Sequence, residues 1–296
     1  MAAMTDTTAT TATTAVMGIL NVTEDSFSDG GEWTTTDRAL AHARAMVADG
    51  ADIIDVGGES TRPGATRVPA ELEAERVVPV IRALHAEGVT TSVDTMRAST
   101  AAAAIEAGVD IVNDVSGGLA DDAMYRTVAD SGVDYCLMHW RAERFESASG
   151  RADHGGDIVA DVCDLLPSLA SRAEHAGIDP DRIILDPGLG FAKNADDNWA
   201  LLAGMRSYMT LGYRVLIGAS RKRFLTALRP GPDGAPGTPE SADDATAAVS
   251  ALAAASGAWA VRVHSVAANR AAVDVARSVA TGRGPALPEG WRARRG

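Results

Sequence analysis

Short apolar or β-branched runs recur along the chain, each closed by Gly, Asn, Asp or Ser and followed by an Ala-rich stretch with helical spacing. Eight such runs can be traced: Val16 to Asn21, Ile53 to Gly57, Thr91 to Asp94, Ile111 to Asp114, Tyr135 to His139, Ile183 to Asp186, Val215 to Gly218 and Ala260 to His264. The stretches between them, among them Asp37 to Asp49, Pro69 to Glu87, Ala98 to Ala107 and Ser241 to Ser256, are rich in Ala, Leu, Glu and Arg, which favour helix. A strand followed by a helix, eight times over, predicts a single-domain α/β protein built as a (β/α)8 TIM barrel. The rival for such an alternation, an open doubly wound sheet, would carry GxGxxG directly after its first strand, and none follows Asn21.

The polar positions follow a rule of their own. Asn21, Asp55, Asp94, Asn113, Asp186, Ser220, Arg262 and His264 all fall at or just past the C-terminal ends of these runs, the end at which barrels place their active sites. Any single Asp, Asn or Ser in that position can be a cap for the helix that follows. Arg262 and His264 cap nothing, however, and carboxylates gathered in one cavity repel one another unless a ligand or cation engages them. The tips are therefore read together, as the lining of one mouth.

Length and charge narrow what that mouth can serve. At 296 residues the chain suits one barrel, with 46% hydrophobic, 4% aromatic and 23% charged residues describing a soluble protein with an aliphatic core. A net charge of -13 and a pI near 4.9 exclude a basic footprint for nucleic acid or an anionic membrane, so any bound anion needs a local cationic pocket. Two cysteines without CxxC spacing, Cys136 and Cys163, suggest neither a disulfide framework nor a zinc site, which fits a reducing cytoplasm. The start MAAMTDTTATTATTA lacks the pattern of a signal peptide, and no apolar run approaches the ~20 residues that span a bilayer. Residues 1–15 are read as a disordered tail, 16–282 as the barrel and 283–296 as a C-terminal tail, with RPGPDGAPGTPE, Arg229 to Glu240, as an exposed loop.

Several motifs carry chemistry. MGILNVTEDSFSDGG brings Asn21 and then a polar loop with Phe27, able to fold over a site. DVGGESTRPGA turns sharply on two glycines and presents Thr61, Arg62 and Pro63, the arginine a fork suited to carboxylate or phosphate. SVDTMR and VNDVSGG put Asp94 and Asn113 on neighbouring tips, where a carboxylate and an amide match the donor and acceptor edge of a guanine-like or pterin-like ring. LDPGLGFAK adds Asp186 and Phe191. GASRKRF gathers Arg221, Lys222 and Arg223 beyond the seventh strand, and VRVH brings Arg262 and His264 from the eighth, the customary phosphate end of a barrel. His139, in LMHW, is expected to line the mouth, whereas His42, His85, His154 and His175 have no ligand spacing and are read as structural or surface residues.

In order and spacing, NVTEDSFSDGG, DVGGESTRPGA, VDTMR, VNDVSGG, LMHWR, LDPGLGFAK, GASRKRFL and RVH resemble the dihydropteroate synthases, from about Val16 to Ala280. The resemblance implies condensation of a pterin methyl pyrophosphate with p-aminobenzoate, in folate biosynthesis. It implies a pterin site of Asp55, Asp94, Asn113, Met138, Asp186 and Lys222, and a pyrophosphate site of Asn21, Thr61, Arg62, Arg262 and His264, with Asn21 reaching a Mg2+ ion. It further implies that Phe27, Thr61, Arg62, Pro63, Phe191, Ser220 and Lys222 border p-aminobenzoate, that Phe27 and Asp29 ride on a mobile loop, and that Asn21, Asp94, Lys222, Arg262 and His264 carry the catalysis. A homodimer and an affinity for sulfonamide-like analogues go with it. Two residues depart from the family pattern: Glu24 stands for a usual proline, and Ser265 follows His264 where an aspartate is usual, leaving that histidine without its customary neighbour. The alternatives are a pterin-dependent methyltransferase, against which the two cationic motifs speak, and a homologue that binds pterin without turning it over.

Overall fold

A computed structural model describes residues 13–23, 35–59, 68–142 and 152–286. In chain order the elements are β1 (Ala15–Asn21), α1 (Thr35–Ala48), β2 (Ile53–Gly57), α2 (Ala70–Ala86), β3 (Thr91–Asp94), α3 (Ala98–Glu106), β4 (Ile111–Asp114), α4 (Met124–Ala129), β5 (Asp134–Met138), α5 (Ile158–His175), β6 (Ile183–Asp186), α6 (Ala195–Ala203), α7 (Met205–Met209), β7 (Arg214–Ile217), α8 (Arg223–Thr226), α9 (Asp243–Ala255), β8 (Ala260–Val263) and α10 (Val266–Thr281). The strands pair in parallel in sequence order, and β1 returns to β8 to close the barrel. The expected eight strands are all present, their ends moved by one residue at most.

Strand residues alternate between two faces. Ile54, Val56, Val93, Val112, Leu137, Leu185, Val261 and Val263 point outward into one core shared with the helices. Met17, Ile53, Ile111, Cys136, Ile184, Leu216 and Ala260 point inward and plug the lumen. Two residues further along each strand the inward face comes round again, now above the apolar plug, and there stand Asp55 on β2, Asn113 on β4, Met138 on β5, Asp186 on β6 and Arg262 on β8. The period of two thus puts a polar layer on an apolar floor.

The helices bury the complementary stripes. Val77, Val80, Ile81 and Leu84 lie along the covered side of α2 while Pro79 is exposed, and α10 buries Val266, Asn269, Val273 and Ala276 before Gly282, at φ 64°, ends it in the left-handed conformation. Order begins before the expected boundary: Thr14 is buried and donates to the Ala258 carbonyl at 2.7 Å, so the last residues assigned to the N-terminal tail belong to the barrel. Residues 1–12 and 287–296 of the two expected tails lie outside the described residues. The segment 229–240 is exposed or half-exposed, as its Pro and Gly content predicts. Among the described residues, no helix is long and apolar enough to cross a membrane.

Candidate active site

The polar layer is wired across the lumen. Arg262 reaches from β8 past β1 to β2 and β3, where its Nε donates to Asp55 Oδ2 at 2.6 Å and its Nη2 to Asp94 Oδ2 at 2.7 Å. Asn113 Nδ2 lies 3.3 Å from the same Asp55 oxygen, and Asp55 Oδ1 is buried with no hydrogen-bond partner among the described residues. A buried carboxylate oxygen left unsatisfied costs about 1–3 kcal/mol, and a ligand that donates to it recovers that cost. Asp186 accepts from Gly188 N at 2.7 Å and keeps its second oxygen toward the lumen, 3.6 Å from where a Cβ on Gly218 would sit.

Burial sets the protonation in this layer. It pushes Asp94 up to about 7, with Arg262 pulling back and Asp55 adding to the rise. Asp186 is raised by the same loss of solvent, against the Gly188 amide, Lys222 and Arg262. Lys222 is pushed down to about 8 by burial and by Arg262, with Asp186 and Asp94 opposing. Burial also works against the Arg262 cation, yet Asp55 and Asp94 outweigh it and hold the guanidinium charged. The mouth therefore carries the committed Arg262 cation beside carboxyl groups, with Asp94 and Asp186 raised toward neutrality, that can accept from a flat, donor-rich ring.

An apolar shelf closes one side. Met96, Val115, Met138, Trp140, Phe191 and Ala192 form a cluster, in which the Trp140 and Phe191 rings stand 5.2 Å apart. Lys222 crosses the loop after β6 so closely that a Cβ on Gly190 would meet its Cδ at 2.7 Å, and its ammonium lies 4.2 Å from the Phe191 ring centre, in cation–π range. On the far side Ser220 Oγ accepts the His264 backbone N–H at 3.1 Å and pairs with His264 Nδ1 at 2.9 Å. Asn21 ends β1 at the same rim, its Oδ1 3.7 Å from where a Cβ on Gly57 would lie.

Of the expected site residues, the structure thus brings Asn21, Asp55, Asp94, Asn113, Met138, Asp186, Phe191, Ser220, Lys222, Arg262 and His264 to one end of the barrel. Phe27, Asp29, Thr61, Arg62 and Pro63 lie outside the described residues, as does Glu24. The SRKR cluster does not act as a unit. Arg221, in the left-handed region at φ 57°, is held by Asp243 at 2.8 and 2.9 Å, and Arg223 is exposed, which leaves Lys222 as the member that faces the mouth.

One histidine reading needs correction. His139 does not line the mouth: its side chain is fully buried and turned to α5, with Nε2 3.2 Å from Asp161 Oδ2. His154 takes the structural rather than the surface role of the two expected for it, for its Nδ1 lies 2.8 Å from that same oxygen and its Nε2 3.1 Å from the Ala192 carbonyl. Sequence spacing could not join these residues, which come from a strand end, a loop and a helix. Among the described residues, His139, His154 and Asp161 are the one trio of His, Cys, Asp or Glu whose donor atoms lie within 4.8 Å of one another. The Asp161 carboxylate, however, already receives the Arg141 guanidinium on both oxygens, and Lys193 is close enough to join burial in pushing His139 down to about 3. Cations on two sides make this an ion-pair latch rather than a metal cradle. Exposed His42, His85 and His175 are as expected.

The family model described as "Pterin binding enzyme" matches residues 17–264. A dihydropteroate synthase of Mycobacterium leprae is 52% identical over 267 residues, covering 88% of this chain and 91% of that protein. One from Streptococcus pyogenes serotype M6 is 47% identical over 259 residues, covering 87% and 92%. Among solved structures, Xanthomonas albilineans dihydropteroate synthase with 4-aminobenzoic acid superposes with a TM-score of 0.83 at 42% identity, covering 94% of this chain and 95% of that one. The same enzyme in complex with 7,8-dihydropteroate gives 0.80 at 40% identity, covering 94% and 96%.

Proposed function

The chain belongs to the pterin-binding enzymes, within the dihydropteroate synthases, and from that premise we propose how its barrel mouth condenses 6-hydroxymethyl-7,8-dihydropterin pyrophosphate with p-aminobenzoate. In this transferase reaction of folate biosynthesis, the bond between the pterin methylene and the diphosphate oxygen breaks and the arylamine nitrogen bonds to that carbon. The amine gives up a proton and pyrophosphate leaves.

One observation carries the assignment of residues: the polar layer of Asp55, Asp94, Asn113 and Asp186, on an apolar floor and beside the Met138 and Phe191 shelf. A ring with an amidine-like edge and two flat faces meets acceptors at its rim and apolar contact on its face. Asp94 and its neighbours favour positive charge on the pterin as the leaving group departs, while Arg262 and His264 stabilise the negative charge that develops on the diphosphate. For Arg262 this means leaving Asp55 and Asp94, whose acceptors the ring then takes over. Phe191, Ser220 and Lys222 border the p-aminobenzoate position, and the family resemblance assigns Phe27, Asp29, Thr61, Arg62 and Pro63 to the same half of the site. No protein nucleophile is required, and an arylamine, already neutral near pH 7, needs no strong base.

Mg2+ takes oxygen donors and usually keeps phosphate and water in its shell. The single neutral amide oxygen of Asn21 at the rim fits an ion that arrives with the diphosphate, and such an ion would supply charge neutralisation at the leaving group. The reading also includes a cytoplasmic protein, supported by the free thiols of Cys136 and Cys163, and a homodimer, supported by the exposed apolar Leu252 on α9 and Val275 and Val279 on α10. Sulfonamide-like analogues of p-aminobenzoate are expected to compete at the same position.

The test is to mix the purified chain with the pterin pyrophosphate, p-aminobenzoate and Mg2+ and to follow pyrophosphate and 7,8-dihydropteroate. Formation of both in equal amounts is expected. Tight pterin binding without product would identify a binding protein, and methyl transfer from a methylated folate would identify the methyltransferase.

A further inference from the structure

Lys193 takes no part in the reaction described above, yet it is one of the two lysines at this end of the barrel and the more deeply buried of them. It is 9% exposed. Its ammonium meets backbone carbonyls alone: Gly188 O at 2.9 Å, and His139 O and Phe191 O at 3.2 Å each. An ammonium has three protons to donate, so these acceptors use all of them and leave none for a substrate. Burial pulls this amine down to about 7, with Asp186 and Asp161 opposing, so the charge is held at a cost that the three carbonyls must offset.

Two of those carbonyls, those of Gly188 and Phe191, belong to the loop after β6 that carries the Phe191 ring. Gly188, Gly190 and Ala192 all have left-handed backbone, at φ 69°, 78° and 51°, and the last is a residue that seldom adopts it. Such alternation turns the carbonyls of residues 188 and 191 to the same inner side, where no strand pairs with them. Lys193 gathers them there and ties them to the end of β5 through His139. From outside, His154 Nε2 and Ala152 N both engage the Ala192 carbonyl, at 3.1 and 3.2 Å, and Asn198 accepts from Gly190 N at 2.7 Å. The loop is thus clamped on both sides, and its product is a fixed Phe191 ring, with Trp140 against one part of it and the Lys222 ammonium over its face.

We propose that Lys193 is a positioning residue for the arylamine half of the site: by holding the carbonyls of the loop after β6 it sets the Phe191 wall, and with it the path of Lys222, against which p-aminobenzoate is bound. This rests on the p-aminobenzoate position given under Proposed function. The pterin half depends on it less, since Asp55, Asp94 and Asn113 stand on strands that Lys193 does not touch and only Asp186, through the Gly188 amide, adjoins the loop it holds.

The experiment is steady-state synthase kinetics of the full chain, varying each substrate in turn, for the wild type, Lys193→Met, Phe191→Ala and the double variant. Lys193→Met should raise KM for p-aminobenzoate by about tenfold while kcat and KM for the pterin pyrophosphate move by less than about threefold, an interval of one decade being ~1.4 kcal/mol. If Lys193 acts through Phe191, the double variant has the KM of Phe191→Ala alone, because contacting residues do not add. Lys193→Gln, which keeps a neutral donor, should lie between wild type and Met, and it replaces Met should that variant be insoluble. An unchanged KM for p-aminobenzoate, equal losses for both substrates, or additive effects in the double variant would overturn the proposal, as would insolubility of both Lys193 variants, which would make it a folding residue. An inactive wild type would instead overturn the functional reading itself.

Discussion

Ser220 does for His264 what Ser265 does not. The hydroxyl of Ser220 takes the His264 amide proton and pairs with Nδ1, whereas Ser265 only begins α10 and offers its carbonyl to Asn269. The ring is therefore held by the loop after β7, and Ser265→Asp is expected to change kcat by less than about threefold, or ~0.7 kcal/mol of barrier. A tenfold loss in steady-state turnover would show that the position matters more. Asp94 permits a test by pH. Its carboxyl is raised to about 7 in the folded chain, above the ordinary value near 3.9 in an unfolded one. A raised carboxyl contributes stability that is whole below about pH 4 and is lost as pH climbs through about 7, because the unfolded state then ionises more readily. Asp94→Asn escapes this loss. Its stability relative to wild type should improve by about 1–3 kcal/mol between pH 5 and pH 8 in urea unfolding, and an unchanged difference would mean that Asp94 is not raised.

At the scale of elements, the turn after β6 is the part least free to vary. Gly188 has φ 69°, and a Cβ there would overlap the His139 carbonyl oxygen and reach the Lys193 ammonium at 3.2 Å. Backbone, unlike a side-chain end, cannot step aside cheaply. Gly188→Ala should destabilise the chain by about 2–4 kcal/mol in urea unfolding and should weaken p-aminobenzoate binding in whatever fraction still folds; a neutral effect would mean that β5 and β6 can separate without cost. The element boundaries themselves were legible: Gly282 ends α10 and Asp157 caps α5 by accepting from Val159 and Ala160, both ordinary signals in the residue order. Asp161 gave no such signal. It lies one turn into α5 as one more acidic residue of a first helical turn, and only the approach of His139, His154 and Arg141 makes it a latch.

For the molecule as a whole, Arg262 is a tie across the lumen, joining β8 to β2 and β3 at the mouth while backbone pairing of β1 with β8 closes the wall. Removing one member of a buried ion network strands the charges it served. Arg262→Ala should cost about 3–5 kcal/mol at pH 8, with a smaller cost at pH 5, where protonation can neutralise the abandoned Asp94 carboxyl. Equal costs at both pH values would mean that the carboxyl groups are not what the arginine is balancing. The net charge of -13 matters on this scale too, since an acidic protein gathers its few inward cations, Lys222 and Arg262, where an anionic substrate has to be held.

Local order along the chain was enough for the barrel and for most of its mouth. A two-residue alternation puts Ile53 and Asp55, Ile111 and Asn113, and Ile184 and Asp186 on one face, so any closed sheet of these strands has an apolar plug beneath a polar layer. Eight motifs in fixed order carried the family. Tertiary structure alone decided the pairings that span the chain: Arg262 with Asp55 and Asp94, Ser220 with His264, His154 with Asp161 and Ala192, and the three carbonyls around Lys193. These contacts have no period and no spacing, because they depend on where loops bring atoms in space, and a lysine among backbone carbonyls looks in sequence like any other lysine after a turn.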